Sequence, residues 1–246
     1  MLIPCKATSV GNNVLNYLIF SIWVFPAAKI AVGRPSYFPN TMTLYPTLKS
    51  YVDQLDFNSI SPERKEVLQH LIDYIHAKQN KQLPISLNFI CTHNSRRSQL
   101  SQIWAQTAAD IHGIEAICHS GGVEVTACNE RAVAALKRAG FKISKNGNGN
   151  PKYYIFHSDD ADPIVAFSKR YDDDTTGSTK FAAVMTCSHA DENCPVIPAA
   201  EIRIPVRYED PKAFDDTPEE EARYDERALQ IATEMMYVFS QVQKNN

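Results

Sequence analysis

A parallel β-sheet covered by helices is the fold this sequence predicts, and three observations carry that prediction. The apolar run at residues 85–90, ISLNFI, reads as a buried strand; it leads through a short polar loop into a helical pattern over 97–111. A second unit repeats the order, with a strand near 114–118, a loop at HSGG, and a helix over 129–139 closed by Gly140. A third buried strand, FAAVM at 181–185, and a strand over 202–206 precede a long helix at 217–242, with Thr217 as its cap and Pro218 in its first position. In such sheets ligands bind at loops that leave the strand ends, which directs attention to the loop beginning at Cys91.

The 246 residues suffice for one α/β domain with additions or for two small domains. With 25 basic and 28 acidic residues the net charge is −3, so no broad field favours nucleic acid or an anionic membrane. Any anion site must therefore be local. Six cysteines, Cys5, Cys91, Cys118, Cys128, Cys187 and Cys194, are too sparse for a disulfide-stapled secreted module. The expectation is a cytoplasmic chain of reduced thiols. Neither C-x-x-C pairs nor finger-spaced histidines occur, so we expect no structural zinc and no other cofactor.

Outside these units the chain is less regular. Residues 14–32, VLNYLIFSIWVFPAAKIAV, are apolar but interrupted by Asn16, Pro26 and Lys29. A membrane anchor, an export signal and a non-native extension upstream of a start at Met42 all fit. The last is preferred, because an ordinary soluble pattern begins after Met42. Residues 47–55 form a short helical pattern; a clearer helix follows Ser61, a good N-cap, with Pro62 next and an apolar stripe from Val67 to Ile75. Between 141 and 174 a turn cluster, NGNGNP, precedes two strand candidates, KYYIFH and PIVAF, which flank an acidic turn as in a hairpin.

The chemistry concentrates in FICTHNSRRSQ. A loop leaving a strand and entering a helix turns backbone N–H groups inward, and the helix terminus adds partial positive charge. A cysteine opening that loop ionises readily. Arg97, six positions after Cys91, can fold its planar fork over two oxygens of a tetrahedral anion. Asn94 suits the left-handed bend, and Ser98 can donate to the sulfur. The cradle thus comprises Thr92, His93, Asn94, Ser95, Arg96, Arg97 and Ser98. A buried cysteine beside two solvated arginines is the plainer alternative.

This stretch resembles the anion loop of the low-molecular-weight protein tyrosine phosphatases and of the thioredoxin-coupled arsenate reductases that share their fold. The resemblance spans roughly 85–242 and implies a three-layer α/β architecture: a four-stranded parallel sheet with helices on both faces. It divides the chain into an apolar extension (1–41), a helical segment (42–83) and a phosphatase-like domain (84–246) with an insertion near 146–179. It also implies a general acid, an aspartate before a proline late in the chain. Asp210 in YEDPKAF is preferred to Asp162, because it lies between the last strand and the last helix. At the position of Arg96 the family usually has a small residue or cysteine, so Arg96 is expected to bring extra charge near the anion.

A second segment, TCSHADENCPVIP, resembles the redox segment of the thioredoxin-coupled arsenate reductases. There the resemblance implies a thiol relay through Cys91, Cys187 and Cys194, with a mobile polar loop between the last two and thioredoxin as partner. The alternative is a phosphatase acting on phosphotyrosine proteins or small phosphomonoesters; a non-catalytic phosphate-binding module is third. Some relatives hold potassium beside the loop. Asn94 and Ser120 match two of its ligands, but Gln102 replaces a glutamate and no aspartate matches, which argues against the ion here.

Overall fold

The computed structural model describes residues 42–176, 180–193 and 197–244. The apolar stretch at 14–32, Cys5 and Cys194 lie outside the described residues. The central sheet has the order β2-β1-β6-β7 and is parallel throughout. Strand β1 (Ile85–Cys91) is buried along its whole length, as a strand covered on both faces must be. It pairs from Ile85↔Ala116 to Cys91↔Gly122 with β2 (Ala116–Gly122), and along Leu87–Ile90 with β6 (Phe181–Met185). The edge strand β7 (Ala200–Pro205) completes the sheet.

Alternate residues of β1 serve two cores. Leu87 and Phe89 join Ala182, Val184 and Ile204 beneath α2 (Pro62–Asn80), α3 (Arg97–Ile111) and α6 (Glu220–Lys244). Ile90 turns to the other face, and Cys91 at the strand's end joins the same second cluster, with Ala183, Met185, Cys187 and, from α5 (Ser188–Asn193), Ala190. Trp104 on α3 is fully buried, stacked on Tyr51 of α1 (Pro46–Asp53) and edge-on to Phe141. The helix α4 (Glu130–Ala139) has the Asn129 cap and left-handed Gly140 that its sequence announces. At α2 the Ser61 hydroxyl accepts from Arg64 N–H, and Arg64 makes a two-point pair with Glu234 of α6 at 2.9 and 2.7 Å.

Four elements differ from the sequence expectation. HSGG, read as a loop, is the end of β2. A strap from residues 167–171 crosses it, with Gly122 N–H donating to Lys169 O and Tyr171 N–H to Gly122 O, and it requires glycine at 121, where a Cβ would collide with Tyr171 Cα. The expected hairpin is present, β4 (Lys152–Phe156) pairing antiparallel with β5 (Ile164–Ala166), but an unexpected strand, β3 (Lys142–Asn146), adds to β4 and makes a three-stranded antiparallel sheet. Strand β3 is almost wholly exposed, so no apolar alternation marks it. The segment after Cys187, expected as a mobile loop, forms α5, and its Asp191 accepts from Arg203 and Arg207. Finally, α6 begins at Glu220; Thr217 instead closes a turn, accepting from Glu219 N–H and donating to Phe214 O. Among the described residues no helix is long and apolar enough to cross a membrane.

A Cβ on Gly122 would lie 2.7 Å from both Asn94 N and Glu124 O, against backbone that cannot rotate away. We expect Gly122→Ala to cost about 1–3 kcal/mol in stability, the range for overpacking, and to displace the Cys91 loop. Denaturant midpoints and the rate of Cys91 alkylation measure the two effects; an unchanged midpoint would show that the backbone of the Cys91 loop can give way at Gly122.

Candidate active site

Cys91 ends β1 with its thiol buried, 4% of the residue being exposed. The chain then reverses at Asn94, which holds φ +46°, and enters α3 at Arg97. From His93 to Arg97 the backbone N–H groups donate to no described protein group, so they remain for a ligand. The polar side chains behind them have fixed directions. Lys169 N–H, which can only donate, binds Asn94 Oδ1 at 3.0 Å, so the Asn94 amide must turn its NH₂ toward Ser98 Oγ, 2.9 Å away. Ser98 accepts there, and its own hydrogen is left to point at Cys91 Sγ, 3.1 Å away. The sulfur is therefore the acceptor in this contact.

Arg97 reaches across the loop. It donates to Tyr208 O at 3.1 Å and to Asp210 Oδ2 at 2.6 Å, and its side chain is 15% exposed. Asp210 caps a 3₁₀ turn (Pro211–Phe214) by accepting from Lys212 N–H. Asp162 is exposed between β4 and β5 and makes no hydrogen bond to the loop. Arg96, expected to add charge near the anion, turns the other way: its Nε donates to Tyr224 OH at 2.7 Å and Nη2 to Asp215 at 3.3 Å.

The second cysteine also meets the loop. Cys187, 1% exposed, has its Sγ 3.5 Å from Thr92 Oγ1, on the residue next to Cys91. The Thr92 hydroxyl also lies 3.2 Å from His189 Nδ1. Ala190 N–H donates to Cys187 Sγ at 3.4 Å. Cys118 and Cys128 belong to the main core, and burial pushes the Cys128 thiol up to about 12, so it is inert. A cleft of about 580 Å³ adjoins the outer side of the loop, lined by Ser95, Arg96, Arg131, Lys145, Tyr153 and Lys212 among others.

Residues 86–194 match the family model described as low molecular weight phosphotyrosine protein phosphatase. Arsenate reductase 2 of Staphylococcus epidermidis is 32% identical over 113 residues, which cover 46% of this chain and 68% of that protein. The chain belongs to the low-molecular-weight phosphatase and arsenate reductase family. Its members are enzymes. The arsenate reductase of Halalkalibacterium halodurans is 28% identical over 132 residues, 54% of this chain and 78% of its own length. Among solved structures, a low molecular weight phosphotyrosine phosphatase from Vibrio cholerae aligns with 66% of this chain and 99% of its own, at 15% identity and a TM-score of 0.46. A thioredoxin-dependent arsenate reductase from Corynebacterium glutamicum aligns with 81% and 84%, at 16% identity and a TM-score of 0.37.

Sequence reasoning missed the strap at 167–171 that holds the family's loop in place here. Ser168 Oγ donates to His93 O at 2.9 Å, and Gln99 Nε2 bridges Asn94 O and Phe167 O. No motif marks these residues, because most of the contacts are to or from backbone. Lys169 is buried in the strap; burial lowers its amine to about 8, and burial with the nearby Lys169 charge lowers His119 to about 4. The potassium-like positions satisfy protein partners instead. Ser120 donates to Gln102 Oε1 at 2.6 Å, and Asn94 Oδ1 accepts from Lys169 N–H at 3.0 Å.

Ser98→Ala removes the donor to sulfur. A hydrogen bond to a charged group contributes about 1.5–3 kcal/mol, so alkylation of Cys91 by iodoacetate near pH 6 should slow by roughly tenfold or more; an unchanged rate would remove Ser98 from thiolate support. Lys169 gives a pH signature. Below about 8 both folded and unfolded chains carry its proton and the fold bears the full cost of the buried ammonium; between there and the ordinary 10.5 only the unfolded chain does. Stability should rise with pH through that window. Lys169→Met should flatten the rise and, at neutral pH, be more stable by up to roughly 3 kcal/mol, read from urea midpoints between pH 7 and about 10.5.

Proposed function

We propose that this chain is a cytoplasmic arsenate reductase that works by a three-cysteine relay regenerated by thioredoxin. The observation that carries the reading is Cys187 against Thr92 at the rim of the anion loop, in a CSHADENC segment that adds a further thiol at Cys194. A phosphatase needs one thiolate here. A relay needs the second within reach of the first.

The chemistry follows from the side chains in place. The Cys91 thiolate attacks arsenic while the loop N–H groups and the Arg97 fork bind the oxyanion. An anion that claims Arg97 releases the Asp210 carboxyl toward the oxygen that departs, and Asp210 gives it a proton, so that it leaves as water. Cys187, as thiolate, then attacks Cys91 Sγ. The sulfur–arsenic bond breaks with its electron pair on arsenic, which leaves as arsenite, and a Cys91–Cys187 disulfide remains. Cys194 attacks Cys187 Sγ, expels the Cys91 thiolate, and presents a Cys187–Cys194 disulfide to the dithiol of thioredoxin, which takes up the oxidation. The relay requires α5 to open, since Cys187 is capped there by Ala190 N–H and Asp191 is held by Arg203 and Arg207.

The test is turnover. Full-length protein with thioredoxin, thioredoxin reductase and NADPH should oxidise NADPH on addition of arsenate. Cys187→Ser should abolish this while Cys91 still reacts with iodoacetate. Phosphatase turnover with no arsenate-dependent oxidation, unaltered in Cys187→Ser, would reject the relay in favour of phosphomonoester hydrolysis.

A further inference from the structure

The adjacent arginines at the head of α3 grip opposite ends of one segment. Arg97 holds its near end through Tyr208 O and Asp210. Arg96 holds its far end through Asp215 Oδ2, and both Arg96 and Asp215 meet Tyr224 OH, which donates to Asp215 Oδ1 at 2.7 Å. Arg131 of α4 approaches the same carboxylate at 3.8 Å. Between the two ends lies the 3₁₀ turn Pro211–Phe214, pinned by Asp215 N–H to Lys212 O at 3.0 Å and by Lys212 N–H to Asp210 Oδ1 at 3.1 Å. So short a turn is stiff, and holding Asp215 holds Asp210.

The two grips differ in what an anion does to them. Arg97 must turn to the anion, and its hold on Asp210 is then lost. The Arg96 guanidinium faces α6, is 12% exposed, and meets a tyrosine that is fully buried. Burial and Asp215 push the Tyr224 phenol up, so it stays a donor across the working range. The far grip therefore persists when the near one opens.

We propose that Arg96 is a positioning residue for the general acid: through Asp215 and Tyr224 it keeps Asp210 at the mouth of the anion loop while Arg97 is engaged by the oxyanion. The inference rests on the reading that Asp210 donates the proton. Arginine is required because two donors of one planar fork serve two acceptors, which a lysine ammonium cannot reproduce in the same geometry.

The test uses full-length Arg96→Met, Arg96→Lys and Tyr224→Phe, with Asp210→Asn as benchmark. Cysteinyl-phosphate formation is followed with p-nitrophenyl phosphate, whose leaving group needs little proton, and with phenyl phosphate, whose leaving group needs it. Arg96→Met should slow the phenyl ester about tenfold or more beyond the nitrophenyl ester, as Asp210→Asn does, with partial recovery in Arg96→Lys. Arsenate protection of Cys91 against iodoacetate should stay within about twofold. An equal loss on both esters, or a loss of protection, would overturn the proposal and make Arg96 an anion ligand or a fold contact.

Hydrogen exchange keeps this test separate from the proposed activity. With arsenate bound, amides of residues 208–216 should exchange faster in Arg96→Met and in Tyr224→Phe than in the wild type, whether or not any substrate turns over. Unchanged exchange overturns the clasp, whereas absent turnover with faster exchange overturns only the catalytic reading of Asp210.

Discussion

The orientation of a single amide, Asn94, is the constraint on which the candidate site depends. Its oxygen is fixed by a backbone N–H of the strap, its nitrogen by Ser98, and the serine hydrogen is thereby aimed at the Cys91 sulfur. Each partner in that chain has one direction available to it. Were the amide reversed, Lys169 N–H would face an NH₂ group, a buried unsatisfied donor costing about 1–3 kcal/mol. Burial enforces the polarity of the network, and the network aims a hydrogen at the sulfur.

That dependence explains why the strap matters more than its sequence implies. Residues 167–171 cross the end of β2, bond to Gly122 on both sides, and reach the loop at His93 and Asn94. The three-stranded insertion delivers this segment, with Ser168 held by Asn150 from the turn between β3 and β4 through 2.7 and 3.0 Å bonds. The addition thus supports the anion loop from behind. On the other side α2, also outside the parallel sheet, supplies Arg64, which covers the Tyr208 ring at 4.8 Å from its centroid and pairs with Glu234. Tyr208 opens the segment that carries Asp210. Both peripheral elements hold one half of the site.

What was legible in the sequence was whatever local rules determine. β1 shows as an unbroken apolar run, α2 and α4 by their caps, and Cys91 with Arg97 by position between strand and helix. What was not legible arises from long-range contacts. β3 has no apolar alternation because it pairs with β4 only along one edge, while the side chains on both of its faces are largely exposed. The two glycines of β2 resemble a loop until the crossing strap is known. α5 is too short to show periodicity and is held by arginines more than ten residues away, Arg203 and Arg207. Arg96 is the sharpest case: its neighbour Arg97 is explained by spacing from Cys91, whereas its own partners lie on α6 and the turn before it.

Read together, these contacts divide the site into fixed and movable parts. Cys91, Asn94 and Ser98 sit in a buried network with one hydrogen-bond direction each, so the Cys91 sulfur, the nucleophile of the proposed reaction, is held in place. Arg97 holds an ion pair that an oxyanion can replace, and the Cys187 thiol begins a short helix held largely by polar contacts to Asp191. Few apolar contacts would be lost on opening that helix; Ala190 is its one fully buried side chain among the described residues. A relay needs this asymmetry. In the proposed relay the first thiolate waits in a fixed cradle and the second travels to it, so the buried directional network belongs on the loop and the exchangeable ion pairs on the segment that moves.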